Sequence, residues 1–146
     1  MPLSNLFKNC TYYWAFTLLV GYPLVHRRYT APGFVQVVVG VTLWVVSQLV
    51  NLAVHLQLAG MRSEEGDDAR KPPEGILFSL VTCPNYTAEV LGWVGWSVAS
   101  NVFMGYCFTL VGLLQMGQWA LQKYSGYKKA NKAYTQGKKA ILPFLL

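Results

Sequence analysis

Between Ile76 and Ala120 a single side chain carries a formal charge, Glu89. The apolar stretch Ile76 to Leu121 is too long for one membrane span, which takes about 20 residues in a range of roughly 17 to 25. It fits two spans, turning near Ser97 to Asn101. Gly33 to Leu58 forms another candidate, free of formal charge apart from one available to His55. Asn9 to Val25 is shorter and aromatic, and it ends at Pro23 and the polar run His26-Arg27-Arg28. These runs predict an all-α integral membrane bundle of about four transmembrane helices. Residues 1–146 then form one membrane-embedded domain with a basic cytosolic C-terminal tail.

Composition agrees with that reading. Only 12% of the residues are charged and 53% are hydrophobic, whereas soluble domains run to about 25% charged. The net charge of +6 could suggest nucleic acid, but six of the twelve basic residues lie in the tail, at Lys123, Lys128, Lys129, Lys132, Lys138 and Lys139. A basic cluster beside a span sets topology and meets anionic headgroups, and no nucleic-acid reading motif is present. Cys10, Cys83 and Cys107 have no metal-ligand spacing and read as buried free thiols. No cleavable signal peptide is expected. Four spans put the polar loop 60–75 and the lysine-rich tail on the side of the N-terminus, which the positive-inside rule makes cytosolic. Arg27 and Arg28 then fall on the opposite side, against the rule.

Polar groups inside apolar helices are costly and mark either helix–helix hydrogen bonds or sites. Gln48, Asn51 and His55 are spaced three and four apart, and Arg62 continues the face if the helix runs past Gly60. The stripe is either interhelical glue or the lining of a polar cavity, and an arginine at its end favours an anionic ligand. Gln115, Gln118 and Gln122 make a comparable stripe without an ionisable member, read as glue or cavity lining. Asn85 and Glu89 are one helical turn apart, with Tyr86 at the edge of their face. Asn9-Cys10-Thr11 and Asn85-Tyr86-Thr87 match the glycosylation pattern, but both fall at cytosolic span ends and read as chance. The tail alternates Tyr124, Tyr127 and Tyr134 with lysines. It is either an interfacial amphipathic segment or a lid over a bound phosphate or ring.

Three blocks carry a family resemblance: Met1-Pro2-Leu3 with Asn5-Leu6-Phe7-Lys8-Asn9-Cys10-Thr11-Tyr12-Tyr13-Trp14, Cys83-Pro84-Asn85-Tyr86-Thr87-Ala88-Glu89, and Lys139-Ala140-Ile141-Leu142-Pro143-Phe144-Leu145-Leu146. In order and spacing they resemble the very-long-chain trans-2-enoyl-CoA reductases of the steroid 5-alpha-reductase superfamily. The resemblance implies a membrane bundle of the endoplasmic reticulum whose cytosol-facing half holds NADPH, with a long-chain or very-long-chain 2-enoyl-CoA entering from the lipid. It implies membrane lipid and other fatty acid elongation enzymes as partners, and no nucleic acid or metal. It places Asn51, His55, Arg62, Asn85 and Glu89 in the dinucleotide pocket, makes Tyr86 the catalytic acid, and puts Lys71, Lys123 and Tyr127 where relatives contact phosphate or adenine. Family members begin further upstream, so the chain corresponds to a C-terminal portion. The acidic run Glu64 to Asp68 departs from the family's pattern.

The implied reaction reduces the trans-2 double bond to a saturated acyl-CoA, the last step of the elongation cycle. It needs a proton at the α-carbon and a donor where charge builds on the thioester oxygen, and a tyrosine can serve either need. Three rival readings stand beside it: a membrane methyltransferase using S-adenosylmethionine, a non-enzymatic scaffold, and a non-catalytic relative of the reductases.

Overall fold

The computed structural model describes residues 3–61 and 72–141, with the side chains of Asn5 and Asn9 excepted. Four helices account for most of it: α1 Leu3–Val25, α2 Phe34–Gly60, α3 Pro84–Ser100 and α4 Phe103–Ala130. Arg62, Lys71, the acidic run 64–68 and the closing segment 142–146 lie outside the described residues.

α2 has 27 residues, about 40 Å at 1.5 Å per residue, and it alone among the described helices is long and apolar enough to cross a membrane. The expected division near Ser97 to Asn101 is present. α3 stops there because Asn101 takes the left-handed conformation, φ 51°, and its N–H bonds to the Ser97 carbonyl at 2.9 Å, a helix stop that asparagine tolerates. The start of that helix differs from expectation. Residues 76–78 form a 3-10 turn and α3 begins only at Pro84. Proline suits the first helical turn and bars Cys83 before it from helical backbone, so Cys83 sits at φ −130°, ψ 65°. α3 is therefore 17 residues long.

The helices pack through small residues. A Cβ built on Gly95 would come within 2.6 Å of the Trp44 nitrogen, and one on Gly40 within 2.5 Å of the Ala99 nitrogen. Backbones in that contact leave no room for a side chain. Farther along, Gly92 faces Ser47 and Gln48, so α2 and α3 run antiparallel. Continuing the register brings Asn51 level with Ala88 and Val54 level with Asn85. α4 packs antiparallel on the other side of α3, with Ser97 Oγ and Thr109 Oγ1 3.2 Å apart at the crossing. α1 leans on this pair through Phe16, whose ring lies 3.7 Å from Phe108 and 5.2 Å from Trp93.

Outside these seams the surface is apolar: Leu18, Leu19, Leu49, Leu52, Leu56 and Leu114 are all exposed. So large an apolar surface suits lipid or a partner rather than water.

As far as Ile141 the tail is packed on the bundle. α4 continues through Ala130, which places Lys123 and Tyr127 on the helix. The chain then folds back, burying Tyr134, Thr135, Ala140 and Ile141. A parallel bridge pairs Val81 with Lys139. The Thr82 and Cys83 N–H groups donate to the Lys139 and Ala140 carbonyls at 2.9 and 3.1 Å. Tyr134 Oη donates to the Pro73 carbonyl at 2.9 Å, which ties the return to the loop ahead of α3.

Candidate functional site

At the end of the bundle where α2 finishes and α3 starts, several expected residues come together. Tyr86 sits in the first turn of α3, half-buried, packed on a cluster of Cys83, Val90, Met116, Ala120, Ala140 and Ile141. The C-terminal return forms the floor of this cluster, and Thr87 Oγ1 donates to the Ile141 carbonyl. Tyr86 is thus held from below by the last described residues of the chain and from the side by α4.

The α4 face opposite it presents Trp119 and Lys123, which four-residue spacing aligns. The Trp119 ring lies 6.3 Å from that of Tyr86. Lys123 Nζ lies 4.7 Å from the Tyr86 ring centroid and interacts with the phenol, within electrostatic reach of Cys83 and Tyr127 as well. An ammonium over an aromatic face is worth about 0.5–2 kcal/mol, depending on desolvation. Tyr127 makes an edge contact with Tyr134, centroids 5.2 Å apart, and Lys138 Nζ sits 3.6 Å over the Tyr134 ring. Burial pushes the Tyr134 phenol up, with Tyr127, Cys83 and Glu74 adding to it. Burial pulls the Lys138 ammonium down, against the opposing effect of Glu74.

The amides come from the two facing helices. Asn85 is buried, 7% exposed. Asn51 Oδ1 is buried without a hydrogen-bond partner among the described residues. A buried acceptor left unpaired costs about 1–3 kcal/mol, so that atom is suited to a donor from outside the chain. His55 is exposed farther along α2 and Glu89 is exposed on α3, so neither contributes to the buried cluster. Glu89 is not the buried carboxylate that its apolar context suggests; one turn beyond Asn85, it lies on the outer surface of the helix. Gln48 belongs elsewhere, lining an apolar cavity of about 440 Å³ with Phe16, Trp44, Trp93 and Trp96. Gln115 and Gln118 are exposed and bond to each other at 3.5 Å. Of the three free cysteines only Cys83 is buried; Cys10 and Cys107 are half-buried.

Sequence reasoning missed Trp119, Thr87 and Ile141 as parts of this site. Trp119 had a usable signal, standing one turn before Lys123. Thr87 and Ile141 stood in two of the family-like blocks, but nothing in the sequence said that they meet, because the contact depends on the fold-back of the tail. The burial of Asn85 also closes it to glycosylation, in line with a chance match.

Residues 1–146 match the model of a family described as 3-oxo-5-alpha-steroid 4-dehydrogenase. A protein of Trypanosoma brucei brucei, provisionally named an enoyl-CoA reductase, is 46% identical over 147 residues, which cover all of this chain and 49% of its own length. The very-long-chain enoyl-CoA reductase of Dictyostelium discoideum is 41% identical over 147 residues, with the same coverage of 100% and 49%. A mouse trans-2,3-enoyl-CoA reductase-like protein is 35% identical over 152 residues, covering 99% of this chain and 42% of its own. The chain spans about half the length of the curated relatives it matches. A match over the whole chain shows what the three sequence blocks implied: the chain belongs to the 3-oxo-5-alpha-steroid 4-dehydrogenase family.

Proposed function

We propose that this chain carries the proton-donor side and part of the cofactor side of an NADPH-dependent reductase. Its substrate would be a long-chain or very-long-chain trans-2-enoyl-CoA in the endoplasmic reticulum membrane, and its product the saturated acyl-CoA that completes a round of elongation. The observation that carries the reading is the Tyr86 phenol with Lys123 Nζ 4.7 Å from its ring centroid, beside a buried asparagine. Relatives named as enoyl-CoA reductases support it further.

The residues fit a dinucleotide. Asn51 offers a buried acceptor with no partner among the described residues, and Asn85 a buried amide one helix away; a carboxamide can donate to the first and bond with the second. His55 and Glu89 stand at the rim of this end, and the family's phosphate and adenine contacts fall to Arg62, Lys71 and Tyr127. When bound, NADPH supplies the hydride. The chain's own residues then do the remaining work. Tyr86 donates its proton toward the developing enolate, at the thioester oxygen or the α-carbon. Lys123, assigned here to the phenol rather than to phosphate or adenine, stabilises the negative charge left on Tyr86. Trp119 and the cluster beneath Tyr86 keep water from its ring side.

The test is the purified protein with a trans-2-enoyl-CoA and NADPH. Saturated acyl-CoA formed in step with NADPH consumption is the expected result. Absence of that product, or methyl transfer from S-adenosylmethionine instead, would overturn the proposal.

A further inference from the structure

Arg27 and Arg28 break the positive-inside pattern, and nothing in the reductase reading uses them. They lie at the far end of the bundle. Tyr86 and Asn101 stand near opposite ends of α3, about 22 Å apart by the helical rise. There a cavity of about 500 Å³ is lined by Tyr22, Pro23, His26, Arg28, Tyr29, Thr30 and Asn101.

The walls of this cavity gather several exposed hydrogen-bond donors. The Tyr29 hydroxyl donates to the Ser100 carbonyl at 2.6 Å, which fastens the α1–α2 loop to the end of α3. The Arg28 N–H donates to His26 Nδ1 at 3.2 Å, so the imidazole keeps its proton on Nε2 and offers a donor. Gln36 Nε2 approaches Asn101 Oδ1 at 3.4 Å, leaving the Asn101 NH2 group as a further donor. The Arg28 guanidinium adds a forked one. Among the described residues no carboxylate lines the cavity. The only acidic residues among those described, Glu74 and Glu89, belong to the Tyr86 half of the molecule. A cluster of donors around a cation, without an internal counter-charge, calls for an anion from outside.

We propose that the α1–α2 loop and the α3–α4 corner form a phosphate-binding site at the membrane surface opposite Tyr86. Its occupant is a phosphate borne by a phospholipid headgroup or free in solution. Arg28 pairs with the phosphate oxygens, while His26 Nε2 and the Asn101 amide complete the coordination. The site accounts for arginine on the side where topology disfavours it: a headgroup compensates the charge locally. It does not depend on the reductase reading.

The experiment follows thermal unfolding of the purified protein in non-ionic detergent. The additions are phosphatidic acid, diacylglycerol with the same acyl chains, and inorganic phosphate. Phosphatidic acid should raise the unfolding temperature and diacylglycerol should not. Arg28→Gln should weaken the apparent affinity about ten-fold, on the scale of one charge-assisted hydrogen bond, while Arg27→Gln, outside the cavity wall, should leave it unchanged. Stabilisation by inorganic phosphate alone, lost in Arg28→Gln, would identify free phosphate as the occupant. Equal stabilisation by diacylglycerol, unaltered affinity in Arg28→Gln, or an equal loss in Arg27→Gln would overturn the site. Should Arg28→Gln fail to fold, Asn101→Gly serves in its place, since glycine accepts the left-handed backbone. It should weaken binding several-fold, roughly the worth of one neutral hydrogen bond, and unchanged binding would overturn the site.

Discussion

On the proposed reading, the contact between Lys123 and Tyr86 separates two roles for the lysine. A lysine that served the dinucleotide would govern cofactor affinity; one that serves the phenol governs the chemical step. Lys123→Met is therefore expected to lower kcat about ten-fold, on the scale of a partly desolvated cation–π and charge contact. The KM for NADPH should change little, and Lys123→Arg should recover much of the loss. Steady-state kinetics of the three proteins check this. A raised KM for NADPH with unchanged kcat would return Lys123 to the cofactor. Tyr86 itself was legible from Cys83-Pro84-Asn85-Tyr86-Thr87, a polar block in an apolar run. Its lysine partner was legible as a residue but not as a neighbour, because the pairing depends on how far α4 extends. Four-residue spacing aligned Trp119 with Lys123, yet nothing local in the sequence said which helix that face would meet.

At the scale of the elements, two seams hold the site in place. The first is the Gly40–Gly95 crossing of α2 and α3, where a methyl group would meet backbone within 2.6 Å. Gly95→Ala should destabilise the protein by about 1–3 kcal/mol, the usual range for overpacking, read from detergent-solubilised thermal unfolding. The second is the C-terminal return. Tyr134→Phe loses the bond to the Pro73 carbonyl, worth about 1 kcal/mol. The raised pKa of the Tyr134 phenol in the fold also has a sign to test. The proton is held more tightly when folded, so the stabilisation is complete below the ordinary phenol value of about 10 and declines as pH rises beyond it. Thermal stability should fall over that alkaline range in the wild type and fall less in Tyr134→Phe. Equal slopes would remove Tyr134 from the account. The second apolar run was readable almost to its ends because the α2 sequence has no competing signal. The start of α3 was not, since residues 76–83 are as apolar as a helix, and only Pro84 and the pairing with 139–141 end the ambiguity.

For the whole molecule, the arrangement sets the Tyr86 end and the lysine-rich C-terminal region on one side and the His26–Tyr29 loop on the other. Single-cysteine variants in a cysteine-free background should show this in sealed vesicles. Lys128→Cys should be labelled from the cytosolic face and Arg28→Cys only after permeabilisation; labelling of both from one face would contradict the topology. The membrane character of the chain was readable from composition, but the number of spans was not. One helix meets the length and apolarity of a span unaided; α3 falls short in length, at 17 residues, because Pro84 sets its start and Asn101 its stop. Of the residues expected on the cofactor side, Asn85 is buried and Asn51 half-buried with a buried Oδ1, about one helical turn apart along the α2–α3 seam. Glu89 and His55 stand exposed, since periodicity gives a face but not what covers it. The central claim is that Tyr86 delivers the proton, and the most direct measurement of it is enoyl-CoA-dependent NADPH oxidation by Tyr86→Phe. The variant should fold and bind NADPH as the wild type does while losing about 10²–10⁴-fold in rate, the usual span for a general acid. Wild-type turnover in that variant would contradict the claim.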